Sequence, residues 1–165
     1  MDDFFVFLDI DGVMYDWEWL MTQPRKGGRI KRFNPESVAA LNKLTNSLSR
    51  EFNTSLVITS TWRHWMQDTI ELLSSNGVDF KDIRLRSTTT DGNPDKRGEQ
   101  ILKFLRGDKG QNFVIIDDEM FDYLDHFDMS QIIKTNMRNN SLNMKMVDNY
   151  LKSIGMIYDV DDLNM

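Results

Sequence analysis

The sequence predicts an α/β fold in which a doubly wound, parallel sheet is covered by helices on both faces. Short runs of consecutive apolar residues alternate with segments of helical periodicity along the chain. Unbroken apolar runs are typical of strands buried on both faces, and strand–helix alternation with right-handed crossovers gives parallel sheets. The 165 residues, 40% of them hydrophobic, suffice for one core. We therefore expect one Rossmann-like domain over residues 1–165.

Five segments are predicted to form the strands of this sheet. They cover residues 4–8, 55–59, 82–86, 112–116 and 131–135. Each connection between them is long enough to hold a helix that crosses over to the next parallel strand, and the helix in the last connection is expected to be shorter.

The helices between the strands are predicted from their end signals and apolar spacing. Asn34 and Pro35 mark the start of a helix that continues to residue 50, because asparagine caps helices and proline suits the first helical position. Later helices are predicted to begin at Ser60 or Thr61, near Pro94, after Asp118 and at a Ser141 cap. Trp62 and Trp65 are expected to face the core from the second helix.

Composition excludes several classes of protein. The chain has no cysteine, which rules out disulfides and thiolate metal sites and fits a reducing, cytoplasmic setting. Acidic residues near the N-terminus argue against a signal peptide, and no apolar run approaches membrane-spanning length, so no membrane partner is expected. The net charge of -6 argues against general affinity for nucleic acid, although residues 25–32 contain five cations.

Acidic and hydroxyl side chains follow three of the predicted strands. They are Asp9 and Asp11 after the first strand, Thr59, Ser60 and Thr61 after the second, and Asp117, Asp118 and Asp122 after the fourth. The carboxyl ends of parallel strands meet at one edge of the sheet, where ligands bind. These side chains are therefore expected to form one site.

Converging carboxylates of this kind indicate chemistry on phosphate with a hard cation. Close carboxylates repel one another unless a cation or proton intervenes, and oxygen ligands favour Mg²⁺. A calcium loop is excluded because its further oxygen ligands and closing glutamate are missing. One aspartate can attack phosphorus while a second, two residues along, transfers protons.

Three segments resemble the motifs of the haloacid dehalogenase (HAD) superfamily of phosphohydrolases. FLDIDGV resembles its first motif, LVITS its second and VIIDDEMFD its fourth, in the correct order over roughly residues 4–135. FLDIDGVMY, TSTWR, KRGEQILKFL and VIIDD are together similar to a compact branch associated with RNA repair proteins and phages. They are also similar to the phosphatase half of polynucleotide kinase–phosphatases.

The resemblance implies roles for individual residues. Asp9 would be the nucleophile and Asp11 the general acid/base. The metal ligands would be the Asp9 side chain, the Asp11 backbone carbonyl and Asp118, with Asp117 and Asp122 in support.

The phosphoryl group would also need hydrogen-bond donors and a cation. The resemblance implies that Ser60 binds it, with Thr59 as the alternative, because only one of two successive side chains points into the site. Thr61 and Arg63 are further candidate substrate contacts. The active-site cation is either Lys96 or Arg97, and the sequence leaves both open.

The spacing of the motifs leaves no room for a large cap domain, so the site is expected to be open. Residues 14–33 are predicted to form a hairpin flap around Gly27 and Gly28. Lys26 and Arg29 in this flap would bind phosphates, and its aromatic residues would stack on bases; the alternative is a solvated turn beside core tryptophans. Residues 156–165 are expected to be a flexible tail.

Three functions remain open from the sequence. The first is an Mg²⁺-dependent phosphomonoesterase that acts through an aspartyl-phosphate, with a phosphorylated nucleotide or a nucleic-acid 3′ end as its partner. The second is a small-molecule nucleotidase. The third, outside the enzymes, is a phosphate- or nucleotide-binding module without turnover.

Overall fold

The computed structural model describes residues 1–24, 30 and 32–156, and its centre is a five-stranded parallel sheet. The strand order is β3-β2-β1-β4-β5, which is a doubly wound arrangement and confirms the predicted fold class. The strands are β1 (Asp3–Leu8), β2 (Asn53–Ile58), β3 (Ile83–Ser87), β4 (Asn112–Asp117) and β5 (Ile132–Lys134).

Strand β1 lies between β2 and β4, and the register aligns the ends of all three. Leu8 pairs with Ile58 on one side and with Ile116 on the other. The residues that follow in each strand, Asp9, Thr59 and Asp117, therefore reach the same edge of the sheet. This alignment places the residues of the first, second and fourth motifs side by side.

The described residues form five α-helices and three short 3₁₀ segments besides the strands, and all but the last helix lie between strands. The α-helices are α1 (Trp17–Met21), α2 (Pro35–Ser49), α3 (Met66–Ser75), α4 (Arg97–Phe104) and α5 (Met144–Ser153). The 3₁₀ segments are Thr61–Trp65, Tyr123–Asp125 and Met129–Gln131. Helix α2 starts as predicted, because the Asn34 side chain accepts a hydrogen bond from the Glu36 N–H and Pro35 occupies the first turn.

The alternation of side chains along β1 divides the core into two layers. Val6 and Leu8 belong to the larger cluster, which includes the apolar faces of α2 and α5. Phe5 and Phe7 face the other way, toward Ile101 of α4 and its neighbours. Both faces of the sheet are thus covered, as its unbroken apolar runs predict.

The first part of the segment predicted as a hairpin flap forms a helix. Residues 17–21 form helix α1 instead of a strand, because the Asp16 side chain accepts a hydrogen bond from the Trp19 N–H at 2.8 Å and caps the helix. The other Asp16 oxygen accepts from the Ser141 N–H at 3.0 Å. The Gly27–Gly28 turn, with Lys26 and Arg29, lies outside the described residues.

Other boundaries also shift. The last helix is capped by Asn143, whose Oδ1 accepts from the Met146 N–H at 3.0 Å, and not by Ser141, which lies two residues before this cap. Helix α4 begins at Arg97, three residues later than the predicted start near Pro94. Of the predicted tail, Met156 packs against the core and residues 157–165 lie outside the described part.

Neither gap between the motifs contains a cap domain within the described residues. The described part of the first gap holds only α1 and α2, and the second holds the Thr61–Trp65 segment, α3 and β3. No helix in the described ranges is long and apolar enough to cross a membrane.

Candidate active site

A group of three carboxylates lies at the carboxyl edge of the sheet. Asp9, Asp117 and Asp118 each place a carboxylate oxygen within 4.8 Å of the other two. Asp9 and Asp117 are buried, and the Asp9 N–H donates to the Ile116 carbonyl at 3.0 Å, which continues the ladder beyond β1. The first and fourth motifs therefore converge, as their positions in the sequence predict.

Gly12 allows Asp118 to approach this group. Its backbone φ is +79°, a left-handed conformation that favours glycine. A Cβ atom at this position would lie 2.5 Å from the Asp118 Oδ2. The glycine of the first motif is thus required both by the backbone conformation and by the closeness of a carboxylate.

Arg97 is the cation that contacts the carboxylates. Its Nη1 donates to the Asp9 Oδ1 at 2.9 Å and to the Asp117 Oδ2 at 3.2 Å. Its guanidinium lies 4.3 Å from the ring centre of Phe121, which has an unusual backbone φ of 42°. Lys96 is exposed and occupies the cap position of α4. The structure therefore places Arg97, of the two candidates, against the carboxylates.

Asp122 supports Arg97 from the start of α4. Its Oδ1 accepts from the Gly98 N–H at 2.6 Å, and its Oδ2 accepts from the Glu99 N–H at 3.1 Å. His126 Nε2 lies 3.3 Å from the same Oδ2. Asp122 is not among the three clustered carboxylates and instead fixes the helical turn that carries Arg97.

The electrostatics of the carboxylate group are dominated by burial. Burial raises the pKa of Asp9 well above its usual range and Asp117 adds to this, whereas Arg97 lowers it. Burial also raises the pKa of Asp117 to about 6, against the lowering effects of Arg97 and of hydrogen bonds from Tyr123 and Glu119. The Tyr123 hydroxyl donates to the Asp117 Oδ2 at 2.6 Å. The site is thus short of positive charge, and a cation would favour its ionised form.

The Asp11 side chain has its own surroundings, apart from that group. The Tyr15 hydroxyl donates to its Oδ1, and the Trp62 indole Nε1 lies 3.4 Å and 3.3 Å from its two oxygens. Trp62 packs partly buried against the core, as the sequence predicts, but the sequence missed its contact with Asp11. The signal that could have found it is the position of Trp62, two residues after the second motif. Trp65, also expected in the core, is 55% exposed.

The hydroxyl groups after β2 differ in their hydrogen bonding. The Ser60 Oγ accepts from the Trp62 N–H at 3.2 Å and caps the 3₁₀ segment. The Thr59 Oγ1 is buried without a hydrogen-bond partner among the described residues. The Thr59 N–H donates to the Leu8 carbonyl at 3.0 Å, which places Thr59 next to the end of β1, whereas Thr61 is exposed. Of these three hydroxyl groups, that of Thr59 is therefore the one that is buried and has no hydrogen-bond partner among the described residues.

Arg63 is buried, and its side chain donates hydrogen bonds to the backbone that follows β2 and to the backbone that follows β3. Its Nη1 donates to the carbonyls of Thr59 and Ser60 at 3.0 Å and 2.9 Å, and its Nε donates to the Thr89 carbonyl at 3.0 Å. Burial lowers its pKa, and the positive charge of Arg97 lowers it further. Two of its nitrogens thus hold the backbone after β2 and β3.

Comparison with known proteins identifies the family of the chain. The family described as "HAD domain in Swiss Army Knife RNA repair proteins" matches residues 5–141, which include every motif of the site. No curated protein and no solved structure matches the chain. With its parallel sheet, carboxylate group and bridging arginine, the chain belongs to this family of compact HAD domains from RNA repair proteins.

Proposed function

We propose that this protein is an Mg²⁺-dependent phosphatase that removes a 3′-phosphate from the end of a nucleic acid through an aspartyl-phosphate. Membership of the HAD family points to a hydrolase, generally a phosphatase. The observation that carries the proposal is the position of Arg97, between the carboxylates of Asp9 and Asp117. Its Nε is buried without a hydrogen-bond partner among the described residues, and a phosphoryl oxygen would supply one.

The residues present fit an Mg²⁺ ion. Three carboxylates offer oxygen atoms within 4.8 Å of one another, and Gly12 leaves the space that Asp118 needs. Carboxylate oxygens are the ligands that Mg²⁺ prefers. Asp9, Asp118 and the Asp11 carbonyl would hold the ion, with Asp117 in support. When bound, Mg²⁺ would offset the negative charge of the site and polarise a phosphoryl oxygen.

The side chains can divide the reaction between them. A carboxylate oxygen of Asp9 attacks phosphorus, the bond from phosphorus to the leaving oxygen breaks, and Asp11 gives its proton to that oxygen. Asp11 then takes a proton from water, which attacks the phosphorus and releases inorganic phosphate from Asp9. Arg97 and the hydroxyl of Thr59 or Ser60 hold the phosphoryl oxygens during both steps.

A nucleic-acid end as substrate is supported by two observations. The family is one described from RNA repair proteins. Within the described residues no cap domain covers the site, so the end of a long chain could reach Asp9. Lys26 and Arg29 remain candidate contacts for the phosphates further along such a substrate.

Phosphate release with Mg²⁺ tests the proposal. A 3′-phosphorylated oligonucleotide is compared with a 5′-phosphorylated oligonucleotide and with 3′- and 5′-mononucleotides. The 3′-phosphorylated oligonucleotide should be the best substrate. Asp9→Asn should abolish release, whereas Asp148→Asn, a matched change on the outer helix α5, should leave it unchanged.

The other outcomes separate the alternatives. Faster release from the mononucleotides would identify a nucleotidase and refute the nucleic-acid substrate. Phosphate or nucleotide binding without Asp9-dependent release would refute an enzymatic role and leave the binding module.

A further inference from the structure

The Asp11 carboxyl is held by two aromatic side chains from separate parts of the chain. We propose that Tyr15 and Trp62 are positioning residues that aim this carboxyl at the leaving-group oxygen; the inference rests on the phosphatase function proposed above. The Tyr15 hydroxyl donates to the Asp11 Oδ1, and the Trp62 Nε1 lies within 3.4 Å of both oxygens. We call Tyr15 and Trp62 the aromatic clamp.

The first half of the aromatic clamp is fixed by burial and backbone pairing. Tyr15 is 2% exposed, and its ring stacks on Phe33 with centroids 6.4 Å apart and planes 15° apart. The backbone before Tyr15 is held, because the Met14 carbonyl accepts from the Asn34 N–H at 2.9 Å, and the backbone after it is held by the Trp17 N–H, which donates to the Met137 carbonyl at 2.7 Å. The tyrosine hydroxyl thus has a fixed position from which to bind Asp11.

The second half of the aromatic clamp is fixed by the 3₁₀ segment after β2. The Trp62 N–H donates to the Ser60 Oγ at 3.2 Å, and its carbonyl accepts from the Thr69 Oγ1 at 2.9 Å. Asp11 is therefore held from two sides by donors that belong to two different motif segments. An orientation set by both donors is more restricted than one set by either alone.

The Asp11 carboxyl held by the aromatic clamp also lies outside the group of three clustered carboxylates, although Asp11 lies only two residues from Asp9. A carboxylate free to rotate could turn toward the same cation and would then not face the leaving group. Holding a proton donor in its productive orientation is a large part of what a positioned acid contributes.

The test compares two esters that differ in their need for a proton donor. The leaving group of an oligonucleotide 3′-phosphate is the 3′ oxygen, an alkoxide that needs protonation, whereas 4-nitrophenyl phosphate releases 4-nitrophenolate, which is stable without a proton. Tyr15→Phe and Trp62→Phe should each lower kcat/KM for the oligonucleotide about 10- to 100-fold and for the nitrophenyl ester less than about threefold. The ratio kcat/KM is used because it covers only the steps up to departure of the leaving group.

Two control variants match the changes in chemistry and environment. Tyr150→Phe removes the hydroxyl of a buried tyrosine in α5, and Trp65→Phe alters an exposed tryptophan in the same 3₁₀ segment as Trp62. Neither should change kcat/KM for either ester. Mg²⁺ binding to Tyr15→Phe and Trp62→Phe, measured by calorimetry, should match that of the wild type.

The failures are distinguishable. Equal losses for both esters, no loss for either, or weakened Mg²⁺ binding would overturn the positioning role while leaving the phosphatase intact. If the wild type cleaves mononucleotides only, the 3′-mononucleotide replaces the oligonucleotide, because it is also an alkyl ester. Absence of phosphate release by the wild type from every ester would refute the proposed function, and this inference with it.

Discussion

Single residues decide the geometry of this site, and Arg97 shows why residue type matters. Its planar guanidinium donates to Asp9 and Asp117 from one nitrogen while its face lies on Phe121. Lysine carries one compact charge and cannot stack in this way.

Arg97→Lys should therefore retain the positive charge but lose the fixed position of the donor between Asp9 and Asp117. We expect kcat/KM for the proposed substrate to fall about 100-fold, which is typical of removing one preorganised donor. Lys96→Arg at the neighbouring exposed position is the control and should stay near wild type. The opposite ranking of the two variants in a phosphate-release assay would identify Lys96 as the active-site cation.

Gly12 and Gly92 form a natural pair for testing the close approach of Asp118. Both have a left-handed φ, +79° and +97°, but a Cβ at Gly92 would meet nothing within 4 Å. Gly12→Ala and Gly92→Ala should each cost about 1–3 kcal/mol of backbone strain in urea unfolding. Only Gly12→Ala should also weaken Mg²⁺ binding by calorimetry. Equal Mg²⁺ affinity in the two variants would contradict the role given to Gly12.

At the scale of elements, the start of α4 contacts the carboxylate group, because Arg97 is the first residue of this helix. Asp122 accepts hydrogen bonds from the first N–H groups of this helix and so fixes the turn that carries Arg97. A carboxylate at a helix start also complements the helix dipole.

Asp122→Ala should therefore affect both stability and turnover. Loss of the cap should lower the free energy of unfolding by about 1–2 kcal/mol. Phosphate release should fall as well, because Arg97 loses its support. Asp122→Asn keeps an acceptor oxygen and should therefore retain part of the free energy of unfolding and part of the phosphate release that Asp122→Ala loses. If Asp122→Ala retained full turnover at reduced stability, Asp122 would act on the fold alone.

Some of these elements could be predicted from the sequence and others could not. The strands, α2 and the convergence of Asp9 with Asp117 were predictable because apolar runs and caps are local signals. Helix α1 was not, because its cap, Asp16, is itself fixed by Ser141 from a distant part of the chain. The choice between neighbouring residues, such as Lys96 and Arg97, depends on where a helix begins within one turn, which the sequence does not define.

At the scale of the whole molecule, the buried carboxyl groups couple the site to global stability. The pKa of Asp117 is raised to about 6 in the folded protein, mainly by burial, and that of Asp9 is raised too. A raised carboxyl pKa means that the native state holds more protons than the unfolded state at intermediate pH. Stability from these groups is therefore present at low pH and lost as pH rises through the folded pKa.

Without metal, this site should thus lower stability between about pH 4 and pH 7, by up to about 3 kcal/mol for Asp117. Urea unfolding with a chelator at several pH values measures the effect. Asp117→Asn should flatten this part of the profile relative to the wild type, and added Mg²⁺ should stabilise the wild type most at neutral pH. A wild type and Asp117→Asn with parallel profiles would contradict the prediction.

The central position of β1 has a consequence for the order in which the molecule is made. Leu8 pairs with Ile116, so β1, which is synthesised before the other strands of this sheet, has to wait for β4 before its second edge is covered. Until then Asp9 lacks Asp117 and Asp118, the other two members of the carboxylate group. Assembly of the carboxylate group therefore depends on the pairing of β4 with β1, the same step that closes the centre of the sheet.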